Sequence, residues 1–130
     1  MKVLQPPGWP RPKGYSNGMA ARGRVIFTAG IVGWDETGAF TSDTLPGQFA
    51  QALKNILAIL ACDGAGPPNI ARLTCYVVDI DAYRASLKEI GEAWKAIMGR
   101  HYPAMALVAV SALVEPEALV EIEATAVVPE

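Results

Sequence analysis

The chain has 130 residues, a formal net charge of −2 and 52% hydrophobic residues. That length fits a single domain, and the basic residues are too scattered to form a phosphate-binding stripe, so nucleic acid is not an expected partner. No apolar run is long enough to span a membrane, and residues 1–7 lack the apolar core of a secretory signal; a cytoplasmic location without a membrane partner is expected. One histidine and two cysteines without a CxxC spacing exclude a structural zinc site, and Cys62 and Cys75 read as reduced, mostly buried thiols.

Residues 5–14 hold four of the ten prolines and predict an extended arm, with Trp9 as its anchor and the domain proper over residues 15–130. Residues 15–22 and 24–31 read as two strands joined at Gly23, a hairpin signal, and the second, apolar on both faces, predicts a central strand. The stretch 33–38 combines acidic residues with glycines, which is turn chemistry. A helix is predicted to start near residues 44–47, capped by Ser42, Asp43 or Thr44, with Pro46 in its first turn and a stripe of Phe49, Leu53, Ile56, Leu57 and Leu60. Residues 63–68 end it. Residues 73–78 predict a buried strand, and Asp81 caps a second helix whose stripe is Tyr83, Leu87, Ile90, Trp94 and Ile97, ending at Gly99. Two closing strands are expected over 105–113 and 119–128.

This order, ββαβαββ, predicts an α+β fold with a six-stranded mixed sheet and two helices on one face. The other face would then expose a large apolar surface in a monomer, which predicts a closed ring of subunits, a homotrimer with clefts at its seams.

Period-two alternation places Glu121 and Glu123 on one face of the last strand, where a carboxylate is costly unless exposed, paired or functional. Such a carboxylate in a cleft can position a water or relay a proton. His101 lies in a polar turn and reads as solvated rather than chemical. Ser16, Ser86 and Ser111 have no nucleophile-elbow context, and Gly30, Gly33 and Gly38 form no phosphate loop.

Several fragments, in the right order, carry a resemblance over nearly the whole chain: residues 14–18 (GYSNG), 25–30 (VIFTAG), 51–56 (QALKNI), 73–79 (LTCYVVD), 102–104 (YPA) and 120–127 (VEIEATAV). The chain resembles the Rid family of reactive intermediate deaminases, also called YjgF-like, RidA-like or L-PSP endoribonucleases. The resemblance implies a chorismate-mutase-like fold, a homotrimer with small-molecule ligands in three inter-subunit clefts, and hydrolysis of enamines and imines of 2-oxo acids without metal or organic cofactor. It places the family's cleft tyrosine on Tyr15 and its water-positioning glutamate on Glu123. The arginine that holds the substrate carboxylate falls on Met105 and a serine of the cleft on Ala29; Ile31, Tyr102 and Arg100 complete the implied substrate-binding set.

Met105 is the chief departure, because a thioether cannot donate the bidentate hydrogen bonds of a guanidinium. Standard 2-imino-acid deamination would then lack its anchor unless Arg100, Arg11 or Lys13 supplies a charge from a neighbouring subunit. The preferred reading is a hydrolase of enamines, imines or related small reactive nitrogen compounds. The alternative is a non-enzymatic trimer that binds a small molecule, or acts in regulation, through the same clefts.

Overall fold

A computed structural model describes residues 1–130. Its order is β1 (Lys2–Val3), β2 (Met19–Ala20), β3 (Arg24–Phe27), β4 (Ile31–Val32), α1 (Leu45–Ala61), β5 (Ile70–Val77), α2 (Ile80–Ala85), α3 (Leu87–Met98), β6 (Ala104–Ala109) and β7 (Val120–Val128). The fold is α+β, with helices packed on one face of a mixed sheet. No helix is long and apolar enough to cross a membrane.

Strand β7 is the sheet's axis. Its nine residues pair antiparallel with β3 and β4 along one edge and with β5 along the other, while β6 adds to β5 in parallel. Five strands therefore form the main sheet, and β1 and β2 form a separate two-residue ribbon, Lys2 opposite Ala20. The expected hairpin at Gly23 does not form: β2 pairs with β1, and Gly23 instead takes a φ of 146° against the backbone of Val128, where a Cβ has no room. β3 is consequently an edge strand rather than a central one, and Phe27 is 74% exposed. The longer β7 takes the central place because its alternation presents Val120, Ile122, Ala124 and Ala126 to the helices, all buried.

Helix α1 starts as expected. Thr44 is its N-cap, accepting from the Gly47 amide at 3.2 Å, and Pro46 occupies the first turn, where its missing N–H costs nothing. Phe49, Leu53, Ile56 and Leu60 are buried; Leu57 sits at the margin of the core. Gln48 is also buried, yet satisfied three times: Nε2 donates to the carbonyls of Ser42 and Glu117, and Oε1 accepts from the Leu119 amide. It ties α1 to the loop that delivers β7.

The second helix departs from expectation. Asp79, not Asp81, is the N-cap, accepting from the Ala82 amide at 3.0 Å. The helix breaks at Ser86, whose ψ of 14° leaves the helical region, so two helices replace one. After the break Ile90, Trp94 and Met98 are buried and Leu87 is exposed, although the sequence periodicity counted Leu87 inward. Cys62 is exposed, against expectation, because it lies at the C-cap of α1; Cys75 is buried.

Candidate functional site

The faces of the sheet are settled by β5. Leu73, Cys75 and Val77 are buried beneath the helices, and Arg72, Thr74 and Tyr76 alternate onto the open face. Ile70 and Leu73, three residues apart, both point to the core with no exposure. The alternation slips there because the register with β7 is irregular between Ile70 and Arg72: Ile70 opposes Ala126 while Arg72 opposes Thr125. An extra residue of this kind is a β-bulge, which re-aims the neighbouring side chain. His101 is bound to this point, its Nε2 lying 2.7 Å from the Ile70 carbonyl oxygen, while its own carbonyl accepts from the Trp94 indole at 3.1 Å. It is a half-buried structural residue rather than a solvated one.

On the open face Glu123 stands opposite Thr74. Its Oε1 accepts a hydrogen bond from the Tyr76 hydroxyl at 2.8 Å. Around the pair lies a cavity of about 410 Å³, lined by Phe27, Thr28, Arg72, Thr74, Tyr76, Glu123, Ala124 and Thr125. The Tyr76 phenol is pushed above its ordinary value, first by that hydrogen bond, then by desolvation and by the negative charges of Glu123 and Glu121; Arg72 acts in the opposite direction. Thr28 closes one side, accepting from the Ala124 amide at 2.9 Å through its hydroxyl. Glu121 shares the face and lies against Gly30, where a Cβ would run into its Oε2.

The sequence-derived residues fall into two groups. Glu123, Ala29 and Ile31 lie along β7 and its β4 edge, with Ile31 opposite Ile122. Tyr15, Tyr102, Arg100 and Met105 lie around β6. Tyr15, Arg100, Tyr102 and Arg11 line one cavity of about 490 Å³, and Tyr15 and Met105 line another of about 400 Å³ that Arg72 also borders. The hydroxyl of Ser16 donates to the Tyr102 carbonyl, so the Tyr15 loop is fastened to the start of β6. From β7, which carries Glu123, to β6 the sheet crosses β5, two interstrand spacings or about 9 Å, and the Glu123 cavity and the Tyr15–Met105 cavity have only Arg72 in common.

Met105 is in register with Leu73, which turns its side chain toward the helices, opposite to Glu123. Its Sδ lies 3.8 Å from Cys75 Sγ, and it borders an apolar cavity of about 300 Å³ with Phe49, Tyr83, Ile90, Trp94 and Tyr102. Methionine at this position therefore packs as well as lines. Tyr102 stacks on Trp94, the rings 6.0 Å apart and nearly parallel at 8°. Lys13 borders the same cavity.

Sequence reasoning missed Tyr76 and Arg72. Alternation along β5 would have placed Thr74 and Tyr76 on one face, but not opposite Glu123, because register between distant strands is not written in either of them. The bulge that turns Arg72 to this face had no sequence signal.

Fold and cavity together define an α+β, chorismate-mutase-like domain with a polar, carboxylate-bearing pocket on an open sheet. The family profile described as Endoribonuclease L-PSP matches residues 10–128. A RutC family protein of Pyrococcus horikoshii is 33% identical over 119 residues, 90% of each chain, and the human 2-iminobutanoate/2-iminopropanoate deaminase is 30% identical over 105 residues, covering 80% of this chain and 73% of that one. The crystal structure of a Rid family protein from Yersinia pestis superposes with a TM-score of 0.86 at 32% identity, covering 98% of both chains. The chain belongs to the Endoribonuclease L-PSP family, the same family as the Rid or YjgF proteins.

Proposed function

We propose that this protein hydrolyses small enamines or imines to the corresponding carbonyl compound and ammonia, in clefts formed where copies of the chain meet as a trimer. The observation that carries the reading is the Tyr76–Glu123 hydrogen bond inside an open polar cavity. The human relative named as a 2-iminobutanoate/2-iminopropanoate deaminase supports the reaction class.

In the proposed step Glu123 accepts a proton from a water molecule as the water oxygen attacks the imine carbon. That proton passes to the nitrogen to give a carbinolamine; the carbinolamine's hydroxyl proton then moves to the amino group, again through Glu123, as the C–N bond breaks, and ammonia leaves with the carbonyl product. No oxidant or reductant enters the balance. Tyr76 holds the carboxylate in one rotamer, so the water is aimed rather than sampled. Phe27 offers an exposed ring at the same cavity for the substrate's alkyl part. In the proposed trimer Tyr15 approaches the Glu123 cavity from a neighbouring copy and completes the site across the seam.

Glu121 is a second carboxylate suited to the role, because it lies against Gly30 beside Ala29 and Ile31, positions that the family resemblance implies for the substrate. The test is ammonia release from freshly generated 2-iminobutyrate, followed against the spontaneous reaction in buffer. Acceleration by the purified protein is expected; a rate equal to buffer at micromolar protein overturns the reading, and ligand binding without turnover would then favour the non-enzymatic alternative.

A further inference from the structure

Arg72 is the one guanidinium that borders both the Glu123 cavity and the Tyr15–Met105 cavity. No carboxylate pairs with it, since the chain's ion pairs engage Arg24 with Asp63 and Glu130, and Arg84 with Asp81. Two features set it apart from the other cations. The bulge at the start of β5 turns it onto the open face. It stands opposite Thr125, and therefore one diagonal step from Glu123 on the same face, within reach of a long side chain.

From these positions we infer that Arg72 binds the carboxylate of a small 2-imino or 2-oxo acid, and so determines substrate specificity in place of a cation at position 105. The inference rests on the proposed hydrolase reading. A planar guanidinium takes a carboxylate through two parallel N–H···O bonds, which fixes the plane of the acid as well as its position. The carbon next to that carboxylate is the one to be attacked. An anchor one diagonal step from Glu123 sets that carbon beside the carboxylate that delivers water, and Phe27 receives the short alkyl chain. The hydroxyls of Thr74 and Thr125, on the floor of the same cavity, can donate to the oxygen or nitrogen on the reacting carbon. Arg100 and Arg11 border only the cavity beneath the Tyr15 loop, away from Glu123. Met105 is then free to be a packing residue because the charge is carried elsewhere on the sheet.

The experiment measures binding and turnover separately. Affinity for 2-oxobutyrate and for its uncharged amide, 2-oxobutanamide, is determined by calorimetry on the intact protein and on Arg72→Gln, Arg72→Lys and Arg84→Gln, the last an exposed arginine of α2 outside the cavities, with circular dichroism and sedimentation confirming that each variant keeps its fold and assembly. Arg72→Gln is expected to weaken 2-oxobutyrate about ten- to a hundredfold, to leave the amide unchanged, and to be partly rescued by Arg72→Lys; Arg84→Gln should change neither. An unchanged 2-oxobutyrate affinity in Arg72→Gln, an equal loss for acid and amide, or no binding of 2-oxobutyrate to the unmutated protein overturns the inference. Selective loss of acid binding in a protein that releases no ammonia removes the hydrolase reading and leaves this one standing. Ammonia release that is indifferent to Arg72→Gln does the reverse.

Discussion

The Tyr76 hydroxyl donates to the Glu123 carboxylate across 2.8 Å, and the arrangement works only while the phenol is neutral and the carboxylate charged. Ionising the phenol would set two anions side by side, so its titration lies above the ordinary value of 10.0. Absorbance of the phenolates should show two late-titrating tyrosines, Tyr76 and Tyr83, the latter raised chiefly by burial, of which only Tyr76 returns toward the ordinary range in Glu123→Gln. A group whose pKa is raised by folding stabilises the fold below its unfolded value, and that contribution is lost as pH rises through the folded one. Glu123→Gln should therefore blunt the loss of stability on the alkaline side, read from melting curves above pH 9. The thiols give a second residue-scale test. Burial pushes Cys75 up to about 12, whereas Cys62 is exposed. One equivalent of thiol should react with an aromatic disulfide reagent at pH 8, and two after denaturation; two fast equivalents in the native protein would contradict the placement of Cys75.

At the scale of elements, the caps and buried polar ties carry the local stability. Thr44→Ala removes the one side-chain acceptor at the start of α1 and should cost about 1 kcal/mol. Gln48→Leu should cost more, about 2 kcal/mol, because it removes three hydrogen bonds made by one buried side chain, to the Ser42 and Glu117 carbonyls and from the Leu119 amide. Both are read from urea midpoints at unchanged slope. Helix α1 was legible from its residues alone, since its cap, its proline and its apolar stripe are all local. The break at Ser86 was not, because Tyr83, Leu87 and Ile90 keep helical spacing across it and only the packing of the sheet decides which turn faces inward. The ribbon of β1 and β2 and the edge position of β3 were equally hidden: pairing between strands depends on partners up to about a hundred residues away, and Gly23 signals a bend without saying which strand follows it.

At the scale of the whole molecule, the open face of the sheet exposes Val25 and Phe27 beside the polar cavity, an apolar area that a lone chain would leave in water. The expected state is a trimer by sedimentation, with Phe27→Asp shifting it toward monomer; a stable monomer of the unmutated protein at micromolar concentration would remove the shared clefts. The family was legible in the sequence because its fragments span the whole chain, and the two acids of β7 were legible by alternation. The tyrosine and arginine that complete the cavity were not, for they come from β5 by register and by a bulge. Glu123 is the residue on which the proposed hydrolysis depends. Ammonia release from 2-iminobutyrate should fall about a hundredfold or more in Glu123→Gln, the range a positioned general base supplies, and much less in Glu121→Gln. A full rate in Glu123→Gln, with the loss falling on Glu121→Gln instead, would contradict it.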